Sequence, residues 1–222
     1  MSIDQFSLLE LFQRGGPIMW VLLLISAVGL VIFVERALFL HRGHIRSTEF
    51  LEGIKNIVQK RRLVEALTVA EETPGPVANL VKAGLLHYED GEEKIRFAIQ
   101  EAALVEIPAL ERRIGSIGAI AHIAPLLGLL GTVLGMIETF YQFEQAGVYA
   151  NSAVLSNGLW QAMLTTAGGL AVSIAAHLGH HFLAGRVRAL VYDMEWVGSD
   201  LVEFLVSDPT APAPAGGEGE PS

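Results

Sequence analysis

Hydroxyl and imidazole side chains recur at helical intervals inside two long uncharged stretches of the sequence. In the later stretch they are Thr166, Ser173, His177 and His180, which are seven, four and three positions apart. These intervals place the four side chains on one face of a helix. Because a hydroxyl both donates and accepts hydrogen bonds, such a face is suited to line a path for water, an ion or a polar partner. The alternative is that each hydroxyl bonds to a carbonyl of its own helix.

The earlier stretch carries a matching pattern. Pro125, Thr132 and Thr139 are spaced seven residues apart, so they also share one helical face. Unsatisfied polar groups are disfavoured in lipid, so polar faces on membrane helices turn toward protein or water. The two faces together predict a water-lined or partner-lined pore.

The elements that carry these side chains are predicted to be membrane spans. Charge-free runs occupy residues 15–34, 114–137 and 145–185, and the last is helical in pattern over about 155–182. Each is long enough to cross a hydrocarbon core about 30 Å thick once. The composition agrees, since 51% of the 222 residues are hydrophobic and only 18% are charged. Buried soluble helices fit less well, because three such runs occur in one chain. A signal peptide fits the first run less well, because that run has an acidic flank and no small-residue cleavage site follows it.

Lysine and arginine set the expected orientation. Residues 35–113 hold 12 of the 15, two more follow the third run, and 141–154 has none. The positive-inside rule then places residues 35–113 and the C-terminus in the cytoplasm. The predicted segments along the chain are an outer N-terminal segment (1–14), a first span (15–40), a cytoplasmic helical region (41–113), a second span (114–140), an outer loop (141–154), a third span (155–183), a cytoplasmic helix (184–206) and a disordered tail (207–222).

Within the cytoplasmic region the apolar spacing predicts a helix over 49–72 and a short helix over 77–88. Thr73-Pro74-Gly75-Pro76 separates them. Asp90 is expected to cap a helix that continues without a stop over about 91–140, with Pro108 as its one possible kink.

Small residues in the second and third spans predict close helix packing. They are Gly128, Gly131 and Gly135 in the second, and Gly168 and Gly169 in the third. Glycines let membrane helices approach each other closely.

Several kinds of chemistry are disfavoured. There is no cysteine, and the net charge of −9 is unlike that of a nucleic-acid-binding protein. We find no phosphate-binding loop or nucleophile motif, so we expect no enzyme and no cofactor. His177, His180 and His181 allow a metal site, but with no carboxylate near them in sequence we favour a packing role and expect no metal.

Acidic groups are also missing from the middle of the spans. Glu138 lies toward the outer end of the second. A proton path through a membrane usually requires an ionisable group inside the bilayer. Any proton-carrying carboxylate is therefore expected to come from another subunit.

Two runs resemble a known family. Residues 123–136 (IAPLLGLLGTVLGM) resemble the second-span signature, and residues 158–170 (GLWQAMLTTAGGL) the third-span signature, of the ExbB/TolQ/MotA proton-channel family. Gly15-Gly16-Pro17 and Glu35-Arg36 are also similar to its members. Three spans with an outer N-terminus resemble ExbB and TolQ, whereas MotA-type stators have four spans.

The resemblance implies a bacterial inner-membrane pentamer that encloses helices of an ExbD/TolR-like single-span partner with one intramembrane aspartate. It puts Thr132 and Thr166 at the positions of the pore threonines. Further pathway candidates are Thr165, Ser173, Pro125 and Glu138. Gln161 departs from members that carry glutamate there, so a relay role at that position is not expected.

The implied function is conversion of proton-motive force into mechanical work, with a TonB-like or TolA-like protein as a further partner. TonB-dependent uptake and the Tol–Pal envelope system remain alternatives, as do Na⁺ and H⁺. The competing hypotheses are a passive helical scaffold and an intramembrane metalloenzyme built on the histidines.

Overall fold

The computed structural model describes residues 15–42, 47–146 and 152–207, which contain helices and no strand. The helices are α1 (Gly16–Arg42), α2 (Ser47–Gln59), α3 (Leu63–Glu72), α4 (Pro76–Leu86), α5 (Glu92–Glu111), α6 (Ile114–Ala146) and α7 (Ser152–Ser207), with a short 3₁₀ helix at Tyr88–Asp90 before α5. The calls made on 1–14, on the middle of the 141–154 loop and on the tail after residue 207 lie outside the described residues.

Three helical stretches are long and apolar enough to cross a membrane: Gly16–His41, Glu92–Gln145 and Leu155–Ser207. Large apolar side chains on α1 are exposed on the surface of the chain. Leu24, Leu30 and Val31, for example, are 63%, 64% and 68% exposed. Such a surface is stable against lipid and unfavourable in water. The chain is therefore an all-α membrane protein, as the sequence predicts.

The described residues divide into two compact units. We call the first, drawn from Met1–Arg36 and Arg113–Leu183, the apolar unit, and the second, drawn from Ala37–Arg112 and Ala184–Ser222, the charged unit. In the charged unit, α2 to α5 and the part of α7 from Ala184 onward form a bundle around large apolar side chains, namely Leu51, Ile54, Leu80, Leu85, Ile95, Met194, Leu201 and Leu205. At its edge Lys55 pairs with Asp200 at 2.7 Å, and Ser47 donates to Asp193 at 3.3 Å.

The predicted helix over 49–72 is wrong at its centre. Its two parts, α2 and α3, are separated by a turn in which Arg61 has a φ of 59°. The turn lets α3 fold back, so that Ala66 and Ala70 are buried in the same bundle as Leu51. One straight helix of that length would extend about 36 Å and could not bury both ends in one small core. The predicted break at 73–76 is confirmed, and α4 begins at Pro76.

The predicted cap at Asp90 is also wrong. Gly91, with a φ of 92°, is the residue before α5, and no side chain caps that helix end. Asp90 instead pairs with Lys94 at 3.4 Å. A glycine reaches this left-handed conformation without steric cost, so the chain enters the helix one residue later than expected.

The expected uninterrupted helix over 91–140 is broken as well. α5 ends at Glu111 and α6 begins at Ile114, with Arg113 at a φ of 65° between them. Pro108 lies inside α5 and not at the break. Arg113 donates to the carboxylate of Glu35 on α1 at 2.6 Å, within the apolar unit. This ion pair holds Arg113 in its left-handed conformation. No local sequence pattern predicts the break.

Candidate functional site

In the apolar unit, α6 and α7 contact each other through small side chains. We call these ten residues the small-residue face: Ala121, Ala124, Gly128, Gly131 and Gly135 on α6, and Gly158, Ala162, Thr165, Gly169 and Ser173 on α7. They recur every three or four positions, so each set follows one side of its helix. Packing of this kind provides van der Waals contact where lipid supplies no hydrophobic drive.

The glycines bring the two backbones into direct contact. A Cβ added at Gly169 would lie 2.6 Å from the carbonyl oxygen of Ala124 and 2.9 Å from Cα of Gly128. A Cβ at Gly128 would lie 2.9 Å from the carbonyl oxygen of Thr165. Backbone atoms of two helices cannot yield as side-chain tips can, so these two positions require glycine.

The other predicted packing glycines have different neighbours. Gly131 faces the side chain of Thr165, whose Oγ1 would lie 2.7 Å from a Cβ added at Gly131. A Cβ added at Gly135 would lie 3.2 Å from the Cβ of Ala162. Gly168 faces α1, where Met19 Sδ would be 3.0 Å away. The five glycines therefore serve two interfaces, four of them between α6 and α7 and one between α7 and α1.

The hydroxyls of Thr132 and Thr166 lie beside this face and are hydrogen-bonded to each other. We call these two residues the hydroxyl pair. Two carbonyl oxygens are also within reach: that of Ala162 lies 3.1 Å from Thr132 Oγ1, and that of Gly128 lies 3.2 Å from Thr132 Oγ1 and 3.3 Å from Thr166 Oγ1. Both side chains are only half-buried in the single chain.

The hydroxyl pair has more acceptors than protons. Each hydroxyl supplies one hydrogen, and each can give it to the other hydroxyl or to a carbonyl. Both carbonyls lie inside regular helices, where a backbone N–H already serves them. A hydroxyl that turns toward a new acceptor therefore leaves no buried group unsatisfied, which makes the pair able to serve a carboxylate at little cost.

The structure separates Thr165 from this pair. Its side chain is 2% exposed, and its hydroxyl donates to the carbonyl of Ala162 in its own helix at 2.7 Å. Ser173 is also buried and donates across the interface to the carbonyl of Ala121 at 2.7 Å. Both hydroxyls thus join the packed interface inside one chain.

The remaining candidates lie apart. Pro125 is half-buried within α6, while Glu138 is exposed and accepts from Gln142 at 2.8 Å. Gln161 contacts the start of α1, since its Nε2 would lie 2.5 Å from a Cβ on Gly16.

Two contacts of the site were not predicted from the motifs. Thr139 donates to its own helix at Gly135 and packs so closely on Gly158 that no Cβ fits there. His122 and His177 face each other across the interface, with ring centroids 5.2 Å apart. The position of Gly158, four residues before Ala162, could have predicted the first of these contacts. Nothing local pairs two histidines on different helices.

The histidines do not assemble with carboxylates. Within the described residues, no group of three or more His, Asp or Glu side chains is placed to hold a metal ion. His180 packs against Gly118, where an added Cβ would lie 3.1 Å from its Cδ2.

Fold and site together define a helical membrane protein whose inner helices pack through glycine around a pair of hydroxyls. Residues 72–196 match the model of the MotA/TolQ/ExbB proton channel family. The chain belongs to this family, which confirms the resemblance drawn from residues 123–136 and 158–170.

Three of its relatives are named after ExbB. It is 31% identical to the putative biopolymer transport protein ExbB-like 1 of a Synechocystis strain, over 87% of this chain and 77% of that protein. It is 31% identical to the biopolymer transport protein exbB1 of Vibrio cholerae, over 80% and 79%. It is 27% identical to a putative ExbB homolog of Methanothermobacter thermautotrophicus, over 82% of this chain but only 64% of that longer protein.

Proposed function

We propose that the chain is a subunit of a proton-driven motor in the bacterial inner membrane, which works with an ExbD/TolR-like single-span partner. Family membership supports an energising role in biopolymer transport. The observation that carries the proposal is the hydroxyl pair, because it lies in the two most family-like runs and has spare acceptors. Its expected ligand is the intramembrane carboxylate of the partner.

The chain's own contribution is to hold that carboxylate in both of its protonation states. When the acid is ionised, Thr132 and Thr166 turn their hydrogens toward it, which offsets the cost of a buried charge. When the acid is protonated, the hydroxyls return to each other and to the carbonyls of Gly128 and Ala162. The alternation lets a proton move on and off the partner without leaving either hydroxyl unsatisfied.

The energy source is the membrane potential together with the pH gradient. One charge that crosses 100 mV releases about 2.3 kcal/mol. We propose that this energy becomes motion of the partner within a homopentameric ring, and that the motion drives either a TonB-like protein for uptake or a TolA-like protein of the envelope.

The proposed assembly gives each helix a role. The exposed apolar surface of α1 faces lipid, and α6 and α7 line the ring interior. Residues 1–14 and the 141–154 loop lie on the periplasmic side, and the C-terminus is cytoplasmic, as the lysine and arginine distribution indicates.

The test replaces the hydroxyls without changing side-chain shape. We expect the Thr132→Val/Thr166→Val double variant to assemble but to lose activity driven by proton-motive force, because the partner acid has no donor in its ionised state. Thr166→Ser should keep part of the activity. Growth or transport that depends on the proton gradient measures activity, and native mass spectrometry measures assembly.

Thr165→Val is the matched control. It removes a hydroxyl at the next position, but that hydroxyl bonds only within its own helix, so activity should be close to wild type. A double variant that assembles and works normally would contradict the mechanism and favour a passive scaffold.

A further inference from the structure

Within the charge-free stretches of the described spans, residues 16–34, 114–137 and 152–183, histidines are the only titratable side chains. There are four of them, and the hydroxyl mechanism uses none: His122 on α6, and His177, His180 and His181 on α7. A hydroxyl passes a proton on only when it receives another. A path that crosses a membrane gains from groups that hold a proton for a time, and imidazole does so near neutral pH.

One histidine, His177, continues the polar face of α7 that begins at the hydroxyl pair, and His122 contacts it from α6. His177 follows Thr166 by eleven residues and Ser173 by four, which is about three helical turns and one turn on the same side. The ring of His122 lies 5.2 Å from that of His177, at an angle of 51°. The distance from the hydroxyl pair is about 16 Å along the helix axis, so a proton path between the two groups requires intervening water.

Backbone carbonyls orient both rings. Nδ1 of His177 lies 3.3 Å from the carbonyl oxygen of Ser173, and Nδ1 of His122 lies 2.7 Å from that of Gly118. A carbonyl only accepts, so each Nδ1 carries the hydrogen. Nε2 is then the basic nitrogen in both rings, and each neutral ring is ready to accept one proton there.

The other charged groups at this end of the apolar unit are few. His180 and His181 are on α7, Arg113 is the residue before α6, and Glu35 and Arg36 are on α1. Arg113 is paired with Glu35 at 2.6 Å, and Arg36 lies 3.7 Å from the same carboxylate. The positive charge of Arg113 is therefore offset locally, which limits its repulsion of a protonated imidazole.

We infer that His122 and His177 form a proton shuttle between the hydroxyl pair and the membrane end where α6 begins. The inference rests on the proposed proton-driven function. In each step Nε2 takes a proton from water and returns it to water or to the other ring, so the ring regains its neutral form and nothing is oxidised or reduced. By the lysine and arginine distribution, this end is the cytoplasmic one.

The experiment measures proton flux in vesicles that contain the full chain together with the ExbD/TolR-like protein of the same genome. A potassium gradient with valinomycin sets the membrane potential, and a trapped dye reports pH. We expect His122→Gln/His177→Gln to lower the flux by roughly 100-fold, the lower end of what a positioned proton-transfer group contributes, since water alone then carries the proton. The dependence of flux on pH should also flatten, because the variant lacks the two side chains that take up and release the proton.

His87→Gln is the matched control. His87 makes the same contact four residues back along a helix, with Nδ1 3.1 Å from the carbonyl oxygen of Ala83, but it belongs to the charged unit. Its flux and pH dependence should equal those of the wild type. A general disturbance caused by losing a ring-to-carbonyl contact would appear in this variant too.

The outcomes separate the shuttle from the motor. Flux that is normal in the histidine variant but lost in Thr132→Val/Thr166→Val would refute the shuttle and leave the proposed function standing. Absence of flux in the wild-type complex would refute the proposed function and the shuttle with it. If the double variant does not assemble, His122→Gln alone decides, because that side chain is exposed on α6 and its loss should still lower and flatten the flux.

Discussion

The two units of this chain are both helical, but they are held together by opposite kinds of residue. The charged unit buries leucine, isoleucine and methionine, and its residues Leu201 and Leu205 are 0% and 1% exposed. The apolar unit leaves many of its large side chains exposed and puts glycine, alanine and hydroxyl side chains between α6 and α7. Leu126 and Leu129 on α6, for example, are 64% and 57% exposed.

The solvent explains the difference. In water, removal of apolar area from solvent drives packing, so the largest side chains go inside. In lipid, an outward leucine costs nothing, and helices gain mainly from close contact and hydrogen bonds. Small residues in the apolar unit thus provide both the stability and the place where hydroxyls of two helices meet.

The largest expected effect is at the tightest glycine contact. Gly169→Ala should prevent α6 and α7 from packing, because the new Cβ would lie 2.6 Å from a carbonyl oxygen and 2.9 Å from Cα of Gly128. We expect loss of the assembled, detergent-stable protein on size-exclusion chromatography.

Gly84→Ala in the charged unit is the matched control for that substitution. Its Cβ would meet only the side-chain tips of Ile99 and Leu201, each at 3.0 Å. Those tips can rotate, and alanine is favoured over glycine in a helix by about 1 kcal/mol, so the protein should stay assembled. Equal behaviour of the two alanine variants would undermine the contrast between backbone and side-chain contacts.

A smaller effect is expected from removing a large side chain. Leu201→Ala should lower the free energy of unfolding of the charged unit by about 2–5 kcal/mol, because it leaves a cavity in an aliphatic core. Denaturant titration followed by circular dichroism measures the change. Leu30→Ala on α1 is the comparison, since Leu30 is 64% exposed and its loss should leave the midpoint almost unchanged.

The spans and the two motif-bearing helices could be predicted from sequence because their signals are local. Charge-free length defines a span, and hydroxyls seven residues apart define a face. The contact between Thr132 and Thr166 follows once two such faces are placed opposite each other. Family membership was likewise readable from residues 123–136 and 158–170.

The turns at Arg61 and Arg113 could not be predicted in this way. Arginine rarely takes a left-handed conformation, and no local sequence pattern marks either position. Arg113 is held by Glu35, 78 residues earlier. Thr165 and Thr166 present the same difficulty. These neighbouring threonines of one motif differ in role because Thr165 lies on the side of α7 that contacts Gly131.

The smallest effect concerns an ion pair on the surface of the charged unit. Lys82 on α4 donates to Glu71 on α3 at 2.9 Å. This hydrogen bond and the charge of Lys82 hold the pKa of the Glu71 carboxyl below its ordinary value. A carboxyl with a lowered pKa in the folded state adds stability above its unfolded pKa, and that stability is lost as pH falls through the folded pKa.

Glu71→Gln should therefore lower the thermal midpoint slightly at neutral pH and not at all in acid below the folded pKa. High salt should shrink the difference at neutral pH, since exposed pairs are screened. Thermal unfolding of the two proteins across the acid range measures it. Glu72→Gln, the neighbouring exposed carboxyl on α3, is the control and should follow the wild type at every pH. A difference between Glu71→Gln and wild type that grows toward low pH would contradict the assigned sign.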